Sequence, residues 1–129
     1  MRTKLKLGVA LMLAAAIACG PAASGRPTIS NTELAAKIKD GHAPLVLDVR
    51  TPEEFKSGHI PGAVNIPVDE LGSRLGELKV AKGEEVVVHC ERGPRAAKAE
   101  ALLQQSGYTD VVDLSGHMKA WRESGLPME

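Results

Sequence analysis

EVVVHCERGPRAAKAEALLQQ, Glu85 to Gln105, decides the fold. Its first part, Glu85–Cys90, is β-branched and apolar with no polar face, as expected of a strand buried on both sides. Its last part places Ala96, Ala97, Ala99, Leu102 and Leu103 at helical spacing, giving an amphipathic helix from Arg95 to Ser106 with Gly107 at its end. Between them lies ERGPR, a loop that leaves the carboxyl end of a strand and enters a helix. Open α/β sheets gather their ligand sites at that end. The loop's N–H groups and the positive end of the following helix make a nest for an anion.

Working outward, strands and helices alternate. Ser30-Asn-Thr-Glu33 is a capping box that opens a helix through about Lys39, closed by Asp40-Gly41. Leu45–Val49 is a short apolar strand. Thr51, Pro52 and Glu54 form a second helix start, and that helix ends by Gly58. Ala63–Ile66 is a strand bracketed by prolines, and Leu71, Leu75 and Leu78 place a helix over residues 69–78. Val111–Leu114 is a final strand and residues 117–124 a final helix. The alternation implies a parallel α/β sheet covered on both faces, starting near Thr28.

The first residues are different. Arg2, Lys4 and Lys6 precede an uncharged run from Leu7 to Cys19, shorter than the roughly 20 apolar residues of a membrane span. Residues 1–18 read as a signal peptide for export, and residues 19–27 as a small-residue tether. Ala16-Ile17-Ala18-Cys19 resembles a lipoprotein cleavage box, which would put lipid on Cys19 in a periplasmic protein; ordinary cleavage after Ala18 is the alternative. Loss of residues 1–18 leaves 13 basic against 16 acidic residues, a net charge of −3. No basic run remains, so nucleic acid is not an expected partner. Cys90 is then the lone thiol of the domain and a monomer is expected. His42, His59, His89 and His117 share no metal-site spacing, so neither a metal nor a cofactor is expected.

In the Cys90 loop the thiol should ionise easily. It meets N–H groups, a helix dipole and the charges of Arg92 and Arg95, with no need of a His base. Gly93 permits the turn and Pro94 stiffens it. Arg95 is equally suited to anchoring the loop, and Glu91 should repel an anionic donor somewhat.

From Thr28 to Glu129 the chain resembles single-domain members of the rhodanese family. The resemblance rests on LDVRTPEEFKSGHIPGAVNIP (Leu47–Pro67), Cys90-Glu-Arg-Gly93-Pro-Arg95 and LSGHMKAWRESGLP (Leu114–Pro127), in the family's order. It implies a rhodanese-like five-stranded parallel sheet between helices. It also implies a Cys90 persulfide that moves sulfur from thiosulfate or a thiol-borne donor to cyanide or a thiol. Loop residues 91–95 would bind the donor, while Asp48 and Arg50 would support the pocket, with Glu54 nearby. His59 would be structural and Trp121 core. His117 stands where the family often has a second Gly. The alternatives are a non-catalytic sulfur-carrier or partner-binding module, and a small Cys-dependent phosphatase or arsenate reductase. Phosphatase loops place five residues between Cys and Arg; here there are four.

Overall fold

A computed structural model describes residues 26–129; the leader, Cys19 and most of the tether lie outside the described residues. In chain order the elements are β1 (Thr28–Ile29), α1 (Asn31–Lys39), β2 (Leu45–Asp48), α2 (Pro52–Ser57), β3 (Val64–Asn65), α3 (Leu71–Arg74), a 3₁₀ turn (Leu75–Glu77), β4 (Val86–His89), α4 (Pro94–Gln105), β5 (Val111–Leu114) and α5 (His117–Glu123). The five strands form one sheet in the order β1-β5-β4-β2-β3, with all pairs parallel.

The helix starts have the expected local causes. Ser30 Oγ accepts the Glu33 N–H at 3.1 Å. Thr51 and Glu54 form both halves of a capping box ahead of Pro52. At the end of α1, Asp40 caps and Gly41 takes φ +76°, a left-handed conformation that suits glycine.

Three boundaries differ from the sequence expectation. Thr28–Ile29 is a strand, completing the five; two residues give no periodicity to read. The expected strand over 63–66 is limited to Val64–Asn65. The expected helix over 69–78 is broken into one short α-turn and a 3₁₀ turn. Gly72 and Gly76 lower its helical preference, while Leu71 and Leu78 still anchor it in the core.

Strand alternation sends side chains into two layers. Leu47, Val86, Val88, Cys90 and Val111 face α3 and α4. Val46, Val87, Val112 and Leu114 face α1 and α5, packing on Leu34, Met118 and Trp121. Each such aliphatic side chain contributes about 1.5–3 kcal/mol by burial. The register aligns Asp48 of β2 with His89 of β4, and Val88 with Asp113 of β5. The loops after β2, β4 and β5 therefore emerge side by side. The chain order reverses between β2 and β4, which opens a crevice between their carboxyl ends.

Candidate active site

Cys90 follows β4 at the floor of that crevice. The residue is 1% exposed and packs against the aliphatic layer under α4. Its sulfur nevertheless meets the loop: the Gly93 N–H donates to Sγ at 3.0 Å. Gly93 has φ +131°, a backbone that a side chain rarely adopts, and this turns its N–H inward. Pro94 then opens α4 in the first helical position. A cavity of about 330 Å³ stands above the sulfur, lined by Cys90, Glu91, Arg92, Pro94 and Arg95.

Burial alone pushes the thiol pKa up. The His117 imidazole and the N–H groups of Ala96, Gly93 and Arg92 outweigh that, bringing it down to about 7. The loop supplies amides as expected; the imidazole is unforeseen.

The loop charges are arranged differently from the sequence expectation. Glu91 does not stand as a bare repulsive charge. Its two oxygens accept from Arg122 at 3.0 Å each, and Arg50 Nη1 lies 3.8 Å away. Arg122 holds the Glu91 carboxyl below its usual range. Arg95 acts as a loop anchor: it makes a bidentate pair with Glu54 at 2.6 and 3.0 Å, tying α4 to α2 across the crevice. That pair lowers the Glu54 pKa to about 2. Arg92 is exposed at the pocket lip and has no ion-pair partner among the described residues.

Asp48 and Arg50 form a fully buried frame beside Cys90. Arg50 Nε and Nη2 donate to the Asp48 carboxylate at 2.8 to 3.1 Å, and Nη2 also donates to the Gly58 carbonyl at 2.8 Å. Asn65 donates to the carbonyls of Asp48 and Arg50, fixing the same loop from β3. His89 is buried behind this frame, and burial lowers its pKa, so the ring is neutral. His59 stacks on Phe55 with ring centroids 3.7 Å apart and lies in the Gly58 turn. Trp121 is buried and donates to the Pro127 carbonyl at 2.9 Å.

Three residues of this neighbourhood carry no expectation from sequence: Asp113, Glu100 and Arg122. Two had a readable signal. Asp113 is an acidic residue inside the apolar run VVDL, and Glu100 shares the buried face of α4 with Ala96, Ala99 and Leu103. A charge on a buried face demands a partner.

The parallel α/β sheet thus ends its central strand in an amide-lined cysteine loop. The chain belongs to the rhodanese-like domain family, which matches residues 30–124. It is 36% identical over 100 residues to a sulfurtransferase of Allochromatium vinosum, covering 78% of this chain and 92% of the relative. It is 37% identical to the human thiosulfate:glutathione sulfurtransferase, covering 78% and 96%. A rhodanese-related protein from Thermoplasma volcanium superposes with a TM-score of 0.69 at 34% identity, covering 81% of this chain and 98% of that one.

Proposed function

We propose that this protein is an exported sulfurtransferase working through a Cys90 persulfide. The observation that carries the reading is the Cys90 sulfur, at the floor of the cavity, receiving an inward-turned N–H from Gly93. With a pKa of about 7, roughly half of the thiol is ionised at neutral pH. The thiolate attacks the outer sulfur of thiosulfate or of a thiol-borne donor. A new S–S bond forms, the donor's S–S bond breaks, and sulfite or the donor thiolate leaves with the bonding pair. The terminal sulfur of Cys–S–S⁻ is an anion, and the loop amides stabilise it as an oxyanion hole stabilises oxygen. Cyanide or an acceptor thiolate then takes that sulfur and returns the Cys90 thiolate.

The polar frame supports an anionic donor. With Glu91 paired to Arg122 and Arg95 paired to Glu54, Arg92 is the loop cation left for the donor's charge. The loop of four residues between Cys90 and Arg95 suits a single added sulfur better than a phosphate. The basic, apolar character of residues 1–18 supports export to the periplasm, with Cys19 as a lipid attachment point; labelling by a fatty-acid analogue that persists in Cys19→Ala overturns the latter.

Intact mass after thiosulfate treatment tests the reaction. A gain of about 32 Da, removed by cyanide and absent in Cys90→Ser, is the expected result for a persulfide. Hydrolysis of p-nitrophenyl phosphate without any mass gain overturns it in favour of a phosphatase. Loading without repeated turnover assigns the protein to a carrier role.

A further inference from the structure

The chain enters α5 through two consecutive left-handed residues. Gly116 has φ +77°, and a Cβ there would meet Ala120 Cβ at 2.5 Å, so only glycine fits. His117 follows with φ +55°, the one non-glycine residue with positive φ among the described residues. Glycine would adopt this backbone without steric cost, so a histidine is strained relative to it. Strain of this kind persists where the surroundings hold it, and it clusters at functional sites.

Here the surroundings are the main chain of the Cys90 loop. The Cys90 N–H donates to His117 Nδ1 at 3.3 Å. The Cys90 carbonyl accepts the Met118 N–H, and the Glu91 carbonyl accepts the Lys119 N–H, both at 3.1 Å. His89 Nδ1 also lies 3.1 Å from the Cys90 carbonyl. Both carbonyls that follow the thiol in the chain are thereby tied to α5, and N–H groups of Arg92, Gly93 and Ala96 are left for the sulfur. A carbonyl oxygen turned toward Sγ would oppose ionisation, as N–H groups favour it. The ring also stands against the residue that donates to the sulfur, since a Cβ on Gly93 would be 3.3 Å from His117 Nε2. We propose that His117 is a positioning residue for the Cys90 thiol: its ring, with the Met118 and Lys119 amides, holds the Cys90–Glu91 main chain so that donors and not carbonyls face the sulfur. The left-handed turn at 116–117 brings the ring and the two amides to the loop together.

The role asked of the ring is that of an acceptor. The Cys90 N–H occupies the Nδ1 lone pair, which leaves the ring proton on Nε2. Nε2 lies 3.5 Å from Asp113 Oδ1 on β5, and a carboxylate on that side favours this tautomer. Glu100 on α4 faces Asp113; burial and that carboxylate raise its pKa to about 8, so it carries a proton at neutral pH and leaves Asp113 as the anion beside the ring. Burial disfavours a second proton on the imidazole, while Asp113 and Cys90 favour one more strongly. Nδ1 could take that proton only by giving up the Cys90 N–H, so the geometry shown is that of the neutral ring. The Met118 and Lys119 bonds come from the main chain and do not depend on the side chain at 117. They keep the loop in place when the ring is removed, so the effect of its loss is local to the thiol.

The inference rests on Cys90 being the nucleophile, and its test reads the thiol and the ring directly, whether or not sulfur is transferred. Iodoacetamide alkylation of Cys90 is followed against pH in the protein, in His117→Gly and in His117→Asn, beside the thermal unfolding of each. His117→Gly relieves the backbone but leaves the Cys90 N–H without its acceptor. Its melting temperature should be unchanged or higher, while the alkylation midpoint near pH 7 rises by about half a unit, slowing the reaction at pH 7 about twofold. A fall in reactivity without a fall in stability is not the signature of a packing role. His117→Asn tolerates the left-handed backbone and offers Oδ1 in place of Nδ1, so it should keep the parent's midpoint. In nitrogen NMR spectra of the unmutated protein at pH 7, Nδ1 should carry no proton and should couple through the hydrogen bond to the Cys90 amide nitrogen. A protonated Nδ1, an unchanged midpoint in folded His117→Gly, or equal shifts in the Gly and Asn variants overturns the proposal. Absence of sulfur transfer with these readouts as expected would sink the sulfurtransferase reading and leave this one standing.

Discussion

Two strands end in the same crevice and are finished in opposite ways. After β2 the chain closes on a salt bridge: Asp48 and Arg50, 0% and 1% exposed, share three side-chain contacts, Nη2 also donates to Gly58, and Nη1 faces Glu91 at 3.8 Å. After β4 it closes on a thiol with one short amide contact, a glycine at positive φ and open volume above. The first end is a buried ion pair held by several hydrogen bonds. The second keeps a group whose hydrogen-bond demand changes when it ionises and, in the proposed reaction, changes again when a sulfur is added. A buried ion pair contributes little net stability over an apolar substitute, yet breaking it is costly. In the proposed reaction it would hold one wall of the crevice in place while Cys90 reacts at the other.

The sharpest way to break that contrast is Arg50→Ala. It leaves the Asp48 carboxylate buried without its partner and should cost about 3–5 kcal/mol. A fall in melting temperature of more than about 10 °C by calorimetry is the expected outcome for a domain of this size. Cys90→Ser should do the reverse, melting much closer to the parent while losing all sulfur loading. Gly93→Ala sits between them. Its φ of +131° strains any side chain, and the new methyl must displace His117. A loss of about 1–3 kcal/mol, read from the urea midpoint, should accompany slower alkylation of Cys90.

A smaller effect is expected at the brace between the two ends. Glu54 is depressed in the folded state to about 2 from 4.5, so its contribution to stability is complete above pH 4.5 and disappears as pH falls through about 2. The pair is a third exposed, so its worth is about 1 kcal/mol or less. The urea midpoints of the protein and of Glu54→Gln should therefore differ at pH 6 and converge as pH drops below about 3. The smallest effect belongs to Arg92→Ala at the exposed lip. It should leave the melting temperature alone and slow thiosulfate loading about two- to fivefold at low salt, the difference shrinking as salt is added.

The two strand ends also differ in how far sequence reveals them. β2 and β4 were legible because apolar β-branched runs between turn residues have few other readings. Cys90, Gly93 and Pro94 were legible because their chemistry is local to one loop. The pairings were not. Whether Arg95 meets Glu54 or the donor, and whether Glu91 meets Arg122, depends on partners 41 and 31 positions away. The link from His117 to Cys90 spans 27 positions and depends on a left-handed residue that periodicity does not register. An aspartate within VVDL and a glutamate on the buried stripe of α4 were the visible traces of that cluster, since charges in such places need company. β1 was too short for any pattern.

Trp121 is the only tryptophan of the chain, and it lies in the layer on the opposite side of the sheet from Cys90, with its indole N–H already satisfied by Pro127. Its emission should therefore be a clean optical gauge of global unfolding, blue when the α1–α5 layer is intact and red when it melts. Reactions at the sulfur can then be followed by other probes in the same cuvette.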